Sequence, residues 1–166
     1  MNDTIPDFVA ILRTLNDHDV NFVVVGALSA VLQGAPIMTF DLDVVHQRSS
    51  ENISRLLKAL KVLDAHYRGH PDPSLRPDET HLQSVGHQLL LSKYGPLDLL
   101  GAIEDGLGYE DLLEDAVQTK IDDFSVPILG LARYVELKES SNREKDRARL
   151  PTLRQTLAEQ RESEES

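Results

Sequence analysis

Apolar residues recur at helical spacing over residues 5 to 16, where Ile5, Phe8, Val9, Leu12 and Leu15 form one stripe behind a capping Thr4 and with Pro6 in the first turn. The pattern predicts an amphipathic helix. After a polar turn cluster at residues 16 to 19, the β-branched run Phe22 to Val25 stops at Gly26, as a short buried strand does. Ala27 to Leu32 is helical in composition and ends at Gly34 and Pro36. The stretch MTFDLDVV, residues 38 to 45, predicts a second strand whose Phe40, Leu42 and Val44 face the core. A helix begins at Ser50 and Glu51, with Ile53, Leu56, Leu57, Leu60 and Leu63 on one apolar face.

Residues 67 to 80, with three prolines and few apolar positions, predict a loop long enough to carry function. His81 to Val85 and Gln88 to Ser92 are expected as strands, and the second of these turns at residues 93 to 96 into LDLLG as a hairpin. A further hairpin is expected around Asp122 and Asp123. Gly130 opens a helical region through residue 160, and RESEES is expected to fray as a polar tail. The order of elements is that of an α/β (α+β) protein: an α/β domain over residues 1–129 with a C-terminal helical extension over 130–166.

A chain of 166 residues supports one core of this kind. The formal charge of −11 argues against non-specific binding along nucleic acid or an anionic membrane, so any basic patch must be local. Without cysteine, disulfides, thiolate zinc sites and cysteine nucleophiles are excluded. Neither a leader pattern nor a long apolar run is present, and a soluble, cytoplasmic protein is the expectation.

Within the second strand the pattern conflicts with the chemistry. Residues two apart on a strand share a face about 6.5–7 Å from each other, so Asp41 and Asp43 project together while their neighbours face the core. Two carboxylates there repel unless a divalent cation accepts oxygens from both. From these residues alone, a solvent-facing edge strand kept soluble by its charges is the simpler reading. Upstream, Gly26, Ala27, Leu28 and Ser29 form a small-residue turn from strand to helix, which could hold a phosphate on backbone N–H groups and the Ser29 hydroxyl. A tight turn with Ser29 facing the core is the alternative. His66 and His70 read as a surface pair rather than zinc ligands, and His81 and His87 are the histidines with a path to the cleft.

VVVGALSAVLQGAPIMTFDLDVV resembles the signature of the nucleotidyltransferase superfamily with the DNA polymerase beta-type fold, in which a strand leads into a small-residue turn, a short helix and an acidic pair on the next strand. It is most similar to small prokaryotic nucleotidyltransferases related to abortive-infection toxins and to minimal nucleotidyltransferases. That resemblance implies a mixed β-sheet flanked by helices, with Asp98 in GPLDLLG as the third carboxylate of a catalytic and metal-binding set with Asp41 and Asp43. It also implies Mg²⁺ or Mn²⁺ as cofactor, a nucleoside triphosphate as donor, and phosphate contacts from Gly26, Ala27 and Ser29. Further contacts would come from Lys138, Arg143 and Lys145 in the helical tail, where Asp146 completes the echo of the family pattern. The acceptor is open among RNA, protein and small molecules, and a toxin-like member would have an antitoxin partner.

This sequence departs from the pattern at Ala27, where a second glycine is usual, at Ile37 and Met38, where a basic residue is frequent, and at Gln33, where histidine is common. Two other readings therefore stand beside the enzyme: a degenerate relative that binds nucleotide or a protein partner without turnover, and an interaction protein whose aspartates are only solubilising. Arg133 to Arg154 carry seven basic residues against four acidic ones, which reads either as a cationic wall facing a triphosphate or as a solvated helix face.

Overall fold

The computed structural model describes residues 6–165; Thr4 and Ile5, the expected cap and first stripe residue, lie outside them, as does Ser166. The first helix, α1 (Phe8–Asp17), is capped by Asp7, whose carboxylate accepts the Ala10 N–H at 3.0 Å. Strand β1 (Phe22–Val25) runs into α2 (Gly26–Val31), and β2 (Leu42–His46) is followed by α3 (Ser50–Val62), with Ser49 as its cap. Then come β3 (His66–Tyr67), α4 (Glu79–Gln83), β4 (His87–Ser92) and β5 (Gly95–Leu100). The chain closes with α5 (Tyr109–Leu113), β6 (Ala116–Ile121), β7 (Phe124–Leu129), α6 (Leu131–Glu139) and α7 (Glu144–Glu165).

Among the described residues seven strands form one mixed sheet in the order β3-β4-β5-β2-β1-β7-β6. The three central strands meet in both senses: β2 runs antiparallel to β1 and parallel to β5. All four residues of β1 are buried, as expected of a strand covered on both faces. Phe22 and Val24 point into a cluster with Leu12, Leu15, Ile53 and Leu56 from α1 and α3. Val23 and Val25 point into a second cluster with Leu131, Tyr134, Leu150 and Leu153 from α6 and α7. The amphipathic helices thus cover the two faces, and the alternation along each strand decides which side chain meets which layer.

Three expectations change. Phe40 does not face the core: it is 64 % exposed, because β1 turns away at Gly26 and leaves the residues before Leu42 with no strand to pair with on that side. His81 is not in a strand. Asp78 accepts the His81 N–H at 3.0 Å and the His81 ring Nδ1 accepts the Asp78 N–H at 3.1 Å, and this capping box starts α4 instead. The acidic C-terminal segment is helical through Glu165, continuing α7.

Asn52, fully buried, ties α3 to the ends of β1 and β2: its Oδ1 accepts the Asn21 N–H at 2.7 Å, and its Nδ2 donates to Asn21 O at 2.9 Å and Gln47 O at 2.8 Å. Asn52→Ala strands these backbone groups, so we expect a loss of roughly 2–3 kcal/mol. Thermal unfolding should show the midpoint lowered by about 5–10 °C.

Candidate active site

Parallel pairing of β2 with β5 sets Asp43 directly opposite Asp98, while antiparallel pairing sets it opposite Val25, the last residue of β1. The alternation that buries Leu42, Val44, Leu97 and Leu99 on one face sends both aspartates to the other, toward α6. There they share a cleft of about 310 Å³ with Gly26, His87, Glu104, Tyr134, Lys138 and Arg143. Asp98 is only 7 % exposed.

Burial dominates the electrostatics. The Asp43 carboxyl is pushed up to about 7, first by loss of hydration, then by the charge of Asp98 and the hydrogen bond between them, and further by the charge of Asp41. Burial also raises Asp98, but the Arg68 guanidinium opposes that rise. Arg68 Nη2 lies 2.9 Å from Asp98 Oδ1 while Nη1 donates to Leu90 O at 2.7 Å. Two carboxyls this close cannot both carry charge cheaply, so Asp43 retains the proton and donates it to Asp98, which Arg68 favours as the anion. Arg68 escaped the sequence reading because it sits in the proline-rich loop and reaches its partner across β4.

Gly26 makes this arrangement sterically feasible. Its φ of 69° lies in the left-handed region, and a Cβ there would overlap the Asp43 carboxylate. Ala27, at the position where a second glycine is usual, needs no such conformation and lines the adjoining mouth. Ser29 is not brought to the cleft: it is fully buried, and its hydroxyl donates back to Gly26 O at 2.6 Å. Asp41 sits just before β2, exposed at the mouth with Met38, Thr39 and Phe40. Among the described residues no three histidine, aspartate or glutamate side chains form a group able to hold a metal ion unaided.

The tail brings its cations to this mouth. Lys138, Arg143, Lys145 and Arg149 line it opposite Asp41 and Asp43, so the basic run is a wall of the cleft as well as a helix surface. Lys138 Nζ lies 3.5 Å from Glu104 and 3.8 Å from the buried Asp146, whereas Arg143 and Lys145 are exposed and make no ion pair among the described residues. Arg149 donates to Met38 O at 3.2 Å, which brings a guanidinium to the segment whose own sequence lacks a basic residue. Tyr134, buried between wall and sheet, has its phenol pushed up to about 12, mainly by burial. His87 reaches the carboxylate cleft, and His81 lines the neighbouring one.

This fold is that of the nucleotidyltransferases. The chain is similar in structure to a candidate nucleotidyltransferase, TM1012 of Thermotoga maritima, at a TM-score of 0.55 and 20 % identity over 92 % of this chain and 93 % of that one. It is also similar to the lincosamide antibiotic adenylyltransferase LnuA with lincomycin bound, at a TM-score of 0.57 and 14 % identity over 89 % and 94 %. A third similar structure is ANT(2″)-Ia in complex with adenylyl-2″-tobramycin, at a TM-score of 0.56 and 11 % identity over 90 % and 87 %. No protein-family model matches the sequence, and no curated protein matches it in sequence. Among the described residues no helix is long and apolar enough to cross a membrane.

The raised Asp43 has a measurable consequence. In the unfolded chain an aspartate loses its proton near pH 4, whereas folded Asp43 keeps it to about 7, so the folded state binds more protons and stability falls as pH rises through that window. Asp43→Asn has no such loss. At pH 8 the variant should melt about 4–10 °C above the wild type, with the gap shrinking steadily as the pH is lowered toward 4, as followed by thermal denaturation across pH.

Proposed function

We propose that this chain transfers a nucleoside monophosphate from a nucleoside triphosphate to an acceptor hydroxyl. The observation that carries the reading is the pair of half-buried Asp43 and buried Asp98, facing a turn that only glycine fits and a wall of cationic side chains. An interaction protein with solubilising aspartates has no reason to bury two carboxyls against each other at a cost in stability.

The donor set fits Mg²⁺ or Mn²⁺. Carboxylate oxygens are the ligands such ions take, and Mg²⁺ is commonly held by one or two carboxylates with substrate phosphates completing the shell, which suits a site where the described residues group no three ligands. The proton between Asp43 and Asp98 marks where positive charge is wanted. Asp43 and Asp98, with Asp41 at the mouth, would hold the ion, which when bound supplies charge neutralisation on the phosphate oxygens.

The chain's own groups do the positioning. Gly26 and Ala27 let the phosphates approach the backbone, Arg143, Lys145 and Arg149 face the triphosphate, and Lys138 is held in line by Asp146. Exposed Met38 and Phe40 offer apolar surface to the nucleoside. Asp98, whose anionic form the Arg68 guanidinium favours at 2.9 Å, takes the proton of the acceptor hydroxyl. That oxygen bonds the α-phosphorus, the bond from the α-phosphorus to the bridging oxygen breaks, and pyrophosphate leaves. A toxin-like role with an antitoxin partner rests on the sequence resemblance alone.

Incubation with each labelled nucleoside triphosphate, Mg²⁺ or Mn²⁺, and a mixture of RNA, protein and small-molecule acceptors tests this. Label transfer should fall by about a hundredfold or more in Asp43→Asn and in Asp98→Asn. Metal-dependent nucleotide binding with no transfer to any acceptor would instead favour the reading as a binding protein.

A further inference from the structure

Beside the carboxylate cleft lies a second one of about 430 Å³, lined by Tyr67, Arg68, His70, His81, His87 and Gln88 with Leu75 and Leu89. The two share His87 and Leu89, and Arg68 lines the second while its Nη2 holds Asp98 in the first at 2.9 Å. A molecule seated there would lie against the far side of Asp98 from the cationic wall. We propose that this cleft is the acceptor subsite, and that the acceptor is a small hydroxyl compound carrying a phosphate or carboxylate that Arg68 receives. The proposal rests on the nucleotidyl-transfer reading above.

Charge is the first argument. In a chain of formal charge −11, no carboxylate among the described residues lines this cleft, while a guanidinium and three imidazoles do. The nearby Asp78 carboxylate is already engaged, accepting the His81 N–H at 3.0 Å and capping α4. A polyamine would find no anion to pair with, whereas a phosphate or carboxylate meets a donor set suited to it.

The wall is also built before any ligand arrives. Tyr67 N donates to Leu75 O and Arg68 N to Leu89 O, each at 2.9 Å, which pins the proline-rich loop to β4. Arg76 clamps the loop's far end through Asp64 at 2.6 Å and Ala65 O at 2.9 Å. The Tyr67 hydroxyl donates to Gln88 Oε1 at 2.6 Å, and its ring meets that of His81 edge to face at 5.8 Å. Leu75 and Leu89, exposed by 38 % and 44 %, leave apolar surface for the body of a ring. The volume lies within the range that single small molecules occupy.

The test titrates the full chain with glucose 6-phosphate, glucose and glucosamine, with the nucleotide side filled beforehand by Mg²⁺ and a non-hydrolysable ATP analogue. Glucose 6-phosphate should bind at least about tenfold more tightly than either twin. Arg68→Gln should weaken it by about tenfold or more. Gln88→Glu keeps an acceptor for the Tyr67 hydroxyl yet adds a negative charge to the cleft, and it should weaken binding by a similar factor without moving the thermal midpoint by more than a few degrees. Tighter binding of glucosamine, or glucose 6-phosphate affinity unchanged in both variants, would overturn the proposal. Label transfer to glucosamine but not to glucose 6-phosphate would overturn it too while leaving nucleotidyl transfer standing. Arg68-dependent binding of glucose 6-phosphate with no transfer to any acceptor would support the anion site and sink the transfer reading.

Discussion

Two carboxyl groups facing each other across a parallel strand pair, in the buried middle of a sheet, set the terms for the rest of this molecule. Asp43 and Asp98 occupy positions where a sheet covered on both faces calls for apolar side chains, and neither can be hydrated as an exposed aspartate is. One proton is retained between them and one guanidinium is recruited beside them. The backbone has to yield as well. Gly26 turns out of β1 into α2 with no side chain because the Asp43 carboxylate occupies that space. The same turn ends the β1–β2 ladder, which is why Asp41 and Phe40 stand at the mouth rather than in the sheet.

The helical tail completes the site by reaching what the sheet cannot supply. The apolar side chains of α6 and α7 pack on the face that carries the aspartates, so their basic residues arrive at its rim. Gln33 helps hold that junction: its Nε2 donates to Ser29 O and Leu129 O, and its Oε1 accepts the Leu131 N–H, each at 2.9 Å, joining α2 to the start of α6. The residue that departs from the family pattern at that position therefore serves the architecture. Arg149 makes a comparable connection from α7 to Met38, placing charge where the local sequence is apolar.

How much of this was legible along the chain follows from the range of each interaction. Strand β1, helix α3 and the hairpin of β6 and β7 were readable because their signals are local: β-branched runs, an apolar stripe, turn residues. Asp41 and Asp43 stood out through their spacing on one strand, and Asp98 through the resemblance alone. His81 was misread because the Asp78 cap competes with its strand-like neighbours; of the two readings open for Ser29 the core-facing one holds, because Gly26 lies within the same turn and satisfies the hydroxyl there.

By itself the sequence determined which residues could be helices, strands and turns, that the acidic pair conflicted with its surroundings, and that the basic residues gather late in the chain. Only the tertiary structure decided that Asp43 faces Asp98 rather than Asp41, that Arg68 crosses β4 to reach them, and that Phe40 turns outward. The reason is strand register. Periodicity along one strand says which residues share a face, but the partner across the ladder, and the loop that can reach over it, are chosen by pairings between segments distant in sequence.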